Sequence, residues 1–263
     1  DVEQRLPKAI AAANRLRLIN SQCEIVAHCV DLGAHNIQSI CESADVLVDG
    51  CDNFYTRYLT NDFSVKHNID YVYAGAVSTY GMLALLQPPR ACLRCVFPEP
   101  PPAEQVPTCS SDGVLGPAIG VIGSLAANLA LQSICKADIA QPFINIELWP
   151  FRSQLINATP NPACPCCNEH HYRWLDGEQS TAAVSANCDN TEVHFSGSGF
   201  IDLMQLGEKY RGSLDELRFS NLCLQFVEDE CEIFVFSDRS IHVYNCESIE
   251  RATQIITNSI GAL

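Results

Sequence analysis

"DVLVDGCDN", residues 45–53, is the stretch on which the reading of this chain turns. Val46-Leu47-Val48 is an uninterrupted apolar run that breaks at Asp49-Gly50 and leads to a second acidic residue, Asp52. A strand buried on both faces of a parallel sheet reads this way, and in open α/β sheets ligands gather outside the carboxyl ends of the strands. Downstream, "FYTRYLTNDFSVKHN" (54–68) has helical spacing and "DYVYAGAVSTYGMLALLQP" (70–88) predicts two strands around a turn. Upstream, "RLPKAIAAANRLRLI" (5–19) predicts a helix with Pro7 in its first turn. "CEIVAHCV" (23–30) alternates as a strand does, and "IQSICESA" (37–44) predicts a short helix. This alternation predicts an α/β fold.

Composition narrows the class. With 263 residues and 47% hydrophobic content, the chain suits a large domain, or a domain plus a smaller one, in a soluble globular protein. A formal charge of -15 repels phosphate backbones, so nucleic acid is not expected as a partner. No apolar run approaches the roughly 18 residues of a membrane span without polar interruption, and neither a span nor a leader is expected. The fifteen scattered cysteines read as reduced thiols plus one metal site, which points to the cytoplasm.

From 113 to 136, "GVLGPAIGVIGSLAANLALQSICK" is small and apolar. Its glycines follow a loop and do not spell GxGxxG, so the expectation is a buried helix packed closely on neighbouring backbone. The stretch "TPNPACPCCNEHHYRWLDGEQSTAAVSANCDN" (159–190) reads as a boundary. Beyond it a helix around "FIDLMQLGEKY", strands in "CLQFVE" and "EIFVFSDRSIHVYNC", and a closing helix "ESIERATQIITNSI" predict a small α+β domain. The expected division is 1–177 and 188–263.

Cys92-Leu-Arg-Cys95 and Cys164-Pro-Cys-Cys167 are two CxxC pairs. Each can turn two thiolates toward one ion, and together they complete a tetrahedral all-sulfur zinc site. A redox pair or buried structural thiols are the other readings. A redox CxxC opens a helix after a strand, which neither pair does, since both are read as lying outside regular elements. Cys92, Cys95, Cys164 and Cys167 are therefore expected to hold a structural Zn2+, with Cys166 as the surplus thiol.

Several stretches then coincide. "DGCDNFYTR", "GAVSTYG", "CLRCVFPEPP", "TCSSDGVLGPAIGVIGSLAA" and the late CxxC, with the leading "LPKAIAAANRLRLIN", resemble the ThiF–MoeB adenylyltransferases, relatives of the ubiquitin-activating enzymes. The resemblance covers about residues 1–170. It implies a Rossmann-like adenylation domain in which ATP adenylates the C-terminal glycine of a ubiquitin-like sulfur carrier, for thiamine or molybdenum-cofactor synthesis, and in which the enzyme is a homodimer. It further implies that Asp52 holds Mg2+ against the phosphates, that Asn53 binds the nucleotide and that Lys8 neutralises phosphate charge. Arg57 would orient Asp52 or touch phosphate. Cys109, in the "TC…GV…P" motif, would link covalently to the carrier, and a following helix N-terminus would favour its thiolate. Taken alone, Asp52-Asn53 is equally a helix cap, Lys8 a solvated lysine and Cys109 a passive thiol.

The sequence departs from the family in one respect. No GxGxxG occurs in it, so the fold is expected to lack the N-terminal part that cradles the nucleotide phosphates, and the chain to be a piece of a longer protein and a poor catalyst alone. A zinc-stabilised scaffold that binds the carrier without catalysis is the rival reading. A nicotinamide oxidoreductase is disfavoured, because no proton relay stands out and the double CxxC has no use there. In the C-terminal domain, Cys246 is followed by Glu247 and Glu250 with no glycine in the loop, so a persulfide-bearing sulfurtransferase site is not expected.

Overall fold

The computed structural model describes residues 6–101, 112–136, 142–178, 184–187, 190–195, 199–246 and 248–261. The chain forms two compact units, Leu32–Ser180 and a second one made of Asp1–Asp31 with Thr181–Leu263. Helix α1 (Lys8–Ile19) belongs to the second unit, and Pro7 stands at its N-cap just outside the expected first turn.

The Leu32–Ser180 unit is a mixed sheet with a helix on each face. Short helix α2 (Ile37–Cys41) precedes β1 (Val46–Val48), and α3 (Phe54–His67) returns the chain to β2 (Asp70–Val77), which runs parallel to β1. The hairpin partner β3 (Tyr80–Leu86) is followed by the single turn α4 (Leu93–Val96), by α5 (Gly116–Ile134) and by a second hairpin of β4 (Phe143–Leu148) and β5 (Phe151–Ile156). The order is β1-β2-β3-β4-β5, antiparallel from β2 onward. Tyr58, Leu59 and Phe63 of α3 pack on one face with Tyr71, Tyr73, Phe143 and Trp174. Ile122, Ala126 and Leu129 of α5 pack on the other against Val72, Ala74, Leu83 and Leu85. Gly81 is needed there, because a Cβ would lie 2.5 Å from Ile122 Cγ1. Ser133 Oγ donates to Asp70 Oδ2 (2.7 Å) and fixes the far end of α5 to β2.

Three expectations need correction. Residues 24–29 belong to no helix or strand; Ile25, Ala27 and Cys29 are half-buried in alternation, but they form no ladder with any described residue. Alternation decides which side faces inward; a strand also needs a neighbouring backbone to complete its hydrogen bonds. Helix α5 is only half-buried, and Gly116, Gly120 and Gly123 have open space where a Cβ would stand, so these glycines are not packing contacts. Length and composition alone would let α5 cross a membrane (19 residues, mean hydropathy 1.4), yet one side of it packs on the sheet. Finally, Cys95 lies within the α4 turn and not outside regular structure.

The second unit carries β6 (Val184–Asn187), β7 (Asn190–Phe195), α6 (Leu203–Tyr210), β8 (Asp215–Phe219), β9 (Cys223–Glu228), β10 (Cys231–Phe236), β11 (Ile241–Tyr244) and α7 (Ile249–Ser259). Its sheet order is β6-β7-β11-β10-β9-β8, antiparallel throughout. Leu224, Phe226, Ile233, Val235 and Val243 point to one side and bury Leu203, Leu206, Ile255 and Ile256 of the two helices. "EIFVFSDRSIHVYNC" is thus two strands, turned at Arg239 (φ 67°).

Candidate functional site

The loop between β1 and α3 is built on a buried carboxylate. Asp49 N donates to Val72 O (2.9 Å), which continues the ladder one residue past β1. Asp49 Oδ1 accepts from Cys51 N (2.7 Å), and Oδ2 accepts from the Tyr71 hydroxyl (3.0 Å) and faces Arg57 Nη1 (3.6 Å). Arg57 also donates through Nη2 to Cys51 O (2.6 Å) and lies over the Tyr73 ring at 5.0 Å. Gly75 makes room for it, since a Cβ there would sit 2.7 Å from Nη1. Burial opposes the Arg57 charge, but Asp49 and the Tyr73 and Tyr71 hydroxyls outweigh burial and hold the guanidinium above its ordinary range. Burial, and then the Asp49 charge, pushes the Cys51 thiol up to about 12, so it stays a neutral, poor nucleophile.

The clamp leaves the next two residues outside. Asp52 is exposed, and among the described residues its carboxylate takes no hydrogen bond or ion pair. Asn53 is exposed at the N-cap of α3, where its Oδ1 accepts from Thr56 N (2.8 Å). A free carboxylate is therefore fixed at the carboxyl edge of β1, beside the amides that open a helix.

Further along α3 the four cysteines meet. The sulfurs of Cys92, Cys95, Cys164 and Cys167 all lie within 4.8 Å of one another. Cys92–Cys95 is 3.9 Å, Cys92–Cys164 3.6 Å and Cys95–Cys167 3.3 Å. A tetrahedral zinc with bonds of about 2.3 Å places its sulfurs about 3.8 Å apart, so the donor set fits that ion. The hydrogen bond with Cys92, and then burial, pushes the Cys95 thiol up to about 12. Burial first, then Cys95 and Cys164, does the same for Cys167. Crowded together without a cation these thiols resist ionisation, and a bound dication would reverse that balance.

Residues 1–166 match the ThiF family. The chain belongs to the ThiF family. The sulfur carrier protein ThiS adenylyltransferase of Bacillus subtilis (strain 168) is 28% identical along 99% of this chain and 78% of its own length, so that similarity runs through both units. A sulfur carrier protein adenylyltransferase of Thermus thermophilus is 33% identical over 62% of this chain and 63% of its own. A solved structure of E. coli MccB with AMPCPP and MccA shares the fold over 62% of this chain and 52% of its own, with a TM-score of 0.53 at 17% identity. The chain thus spans about half of that solved protein and under two thirds of the Thermus one.

Within this ThiF chain, Asp52 and Asn53 stand on the loop that Arg57 braces from α3, and the four cysteines meet at one cluster. The carboxylate that Arg57 meets among the described residues is that of Asp49, not Asp52. Arg57 therefore braces the loop and is largely withdrawn from solvent. Lys8 is exposed in the first turn of α1, in the other unit. Cys109 lies outside the described residues. Asp49, Asn61 and Asp62 make the buried polar contacts behind the loop and the cysteine cluster, and were not singled out from the sequence. The available signal was polar residues at 57, 61 and 64, helically spaced on the face that also carries the apolar core.

Proposed function

We propose that the protein, in its natural length, uses ATP to adenylate the C-terminal glycine of a ubiquitin-like sulfur carrier, in the service of thiamine or molybdenum-cofactor synthesis. Membership of the ThiF family and the names of the Bacillus and Thermus relatives support this class of reaction. The observation that carries it to particular residues is the Asp52 carboxylate, exposed and uncommitted among the described residues, on the loop that Asp49 and Arg57 brace. The carrier's carboxylate attacks the α-phosphate of ATP, pyrophosphate leaves, and the acyl-adenylate is primed for sulfur. Asp52 is the residue that would hold Mg2+, an ion that supplies charge neutralisation to the phosphates. Asn53 would hydrogen-bond the nucleotide.

Lys8 is proposed to bind phosphate. It stands at the positive end of α1 with no acidic residue in that turn, a place where a cation is disfavoured on structural grounds. Cys109 is proposed, from the family motif, as the cysteine that links to the carrier. Cys92, Cys95, Cys164 and Cys167 would hold a structural Zn2+; four protein sulfurs leave no open position for substrate. A homodimer fits the apolar side of α5, where Ile119, Leu131 and Ile134 are exposed. A reducing compartment such as the cytoplasm suits the described cysteines, all free thiols. Cys246 is fully buried, so no sulfurtransferase role is proposed for the C-terminal residues.

ATP–pyrophosphate exchange with the carrier present tests the reading. Carrier-dependent exchange is expected. Carrier binding with no exchange would replace it with the scaffold reading.

A further inference from the structure

We infer that Asn61 and Asp62, adjacent on α3, are the positioning residues that hold the two cysteine pairs at metal-binding distance from each other. This rests on reading the four cysteines as a metal site. The pairs are remote in sequence, and the geometry shows what brings them together.

Asn61 touches the inside of both pairs. Its Oδ1 accepts from the amide of Leu93, which lies between Cys92 and Cys95 (2.8 Å). Its Nδ2 donates to the sulfur of Cys166, which lies between Cys164 and Cys167 (3.4 Å). One amide side chain thus spans the two knuckles and engages the surplus thiol. Asp62 adds a second span. Its Oδ1 faces Arg94 Nη1, again from the first pair (3.7 Å), and its Oδ2 accepts from Trp174 N (3.0 Å), in the segment that follows the second pair. Arg94 closes the circuit by donating to His171 O (3.2 Å) with its guanidinium 4.7 Å from the centre of the Trp174 ring.

Asn61 and Asp62 are 1% and 0% exposed, and Arg94 is 2% exposed. Polar groups this deep persist where their partners are fixed, and removing one partner leaves the other buried and unsatisfied. Packing alone would be served by apolar side chains at 61 and 62. The polar ones supply directional bonds to two segments that also meet at the sulfurs and through Arg94. Such partners behind metal ligands typically set affinity by about 10- to 100-fold.

The test is zinc affinity of the full chain, by competition with a chromophoric chelator, for wild type, Asn61→Ala, Asp62→Asn and Leu59→Ala. Leu59 is buried on the same helix but bonds to neither knuckle, so it reports general loosening of α3. A loss of tenfold or more is expected for Asn61→Ala and Asp62→Asn, and less than twofold for Leu59→Ala. With cobalt in place of zinc, the visible bands of the first two variants should shift away from the four-sulfur signature as one ligand is displaced. Cys166→Ser should retain the metal. Equal losses in all three helix variants, or none in any, would overturn the inference while leaving the metal site standing. A wild-type chain that bound neither zinc nor cobalt would overturn the metal reading and this inference together.

Discussion

The two halves of α3 serve the molecule differently, and the contrast separates scaffold from chemistry. In the half that carries Asn61 and Asp62, polar groups are buried and bonded to both cysteine knuckles. In the loop that leads into its N-terminal turn, one carboxylate, Asp49, is equally committed, while Asp52 three residues later is exposed and, among the described residues, unpaired. Satisfied, buried polar groups hold geometry. An acid held in place without a partner is available to a ligand. Asp49 and Asp52 look alike in the sequence, and only the surroundings divide their work.

The largest effect that sharpens the contrast is expected at the knuckles. A Cys92→Ser, Cys95→Ser double variant should hold no zinc where wild type is expected to hold one ion per chain, and should lose cooperative unfolding of the Leu32–Ser180 unit, because the free energy of binding a structural metal is folding free energy. Stoichiometric zinc in that variant would break the assignment. Both tryptophans of the chain, Trp149 and Trp174, lie in this unit, so their fluorescence follows it selectively. By that signal Asp49→Ala should destabilise by roughly 3 kcal/mol, since it leaves Arg57 buried without its carboxylate. A loss below about 1 kcal/mol would show that the clamp is not structural. Gly75→Ala should cost less, roughly 1–3 kcal/mol, as the new methyl group crowds Arg57. A neutral result would mean that Arg57 can move aside without consequence.

Much of this was legible in the sequence. The apolar run 46–48 ending in Asp-Gly did become a parallel strand entering a loop and a helix, because an apolar run and an N-cap each leave a local signature. That strand ends the sheet order with Leu47 buried and Val48 exposed, so the expectation of burial on both faces is corrected. The CxxC spacing is likewise local, and the two pairs do converge. What stayed hidden depends on partners. Nothing near Asp49 in the chain announces Tyr71 at 3.0 Å, and nothing near Asn61 announces Cys166. Strands β4 and β5 went unread because β5 is an exposed edge, with Phe151 and Leu155 facing solvent and no clear alternation. The glycines of α5 misled in the opposite sense, since small residues permit close packing without requiring it.

If Asp52 acts and Asp49 only supports, the two roles separate in one paired measurement. In the natural-length protein with its carrier, ATP–pyrophosphate exchange and tryptophan-monitored stability are measured for Asp52→Ala beside wild type. Exchange should fall by about a hundredfold or more, as it does when an electrostatic anchor of the transition state is removed. Stability should stay within about 0.5 kcal/mol, because an exposed, unpaired side chain holds nothing together. Near-normal exchange, or a loss of exchange that only tracks a loss of folding, would show that Asp52 does not hold the nucleotide's metal.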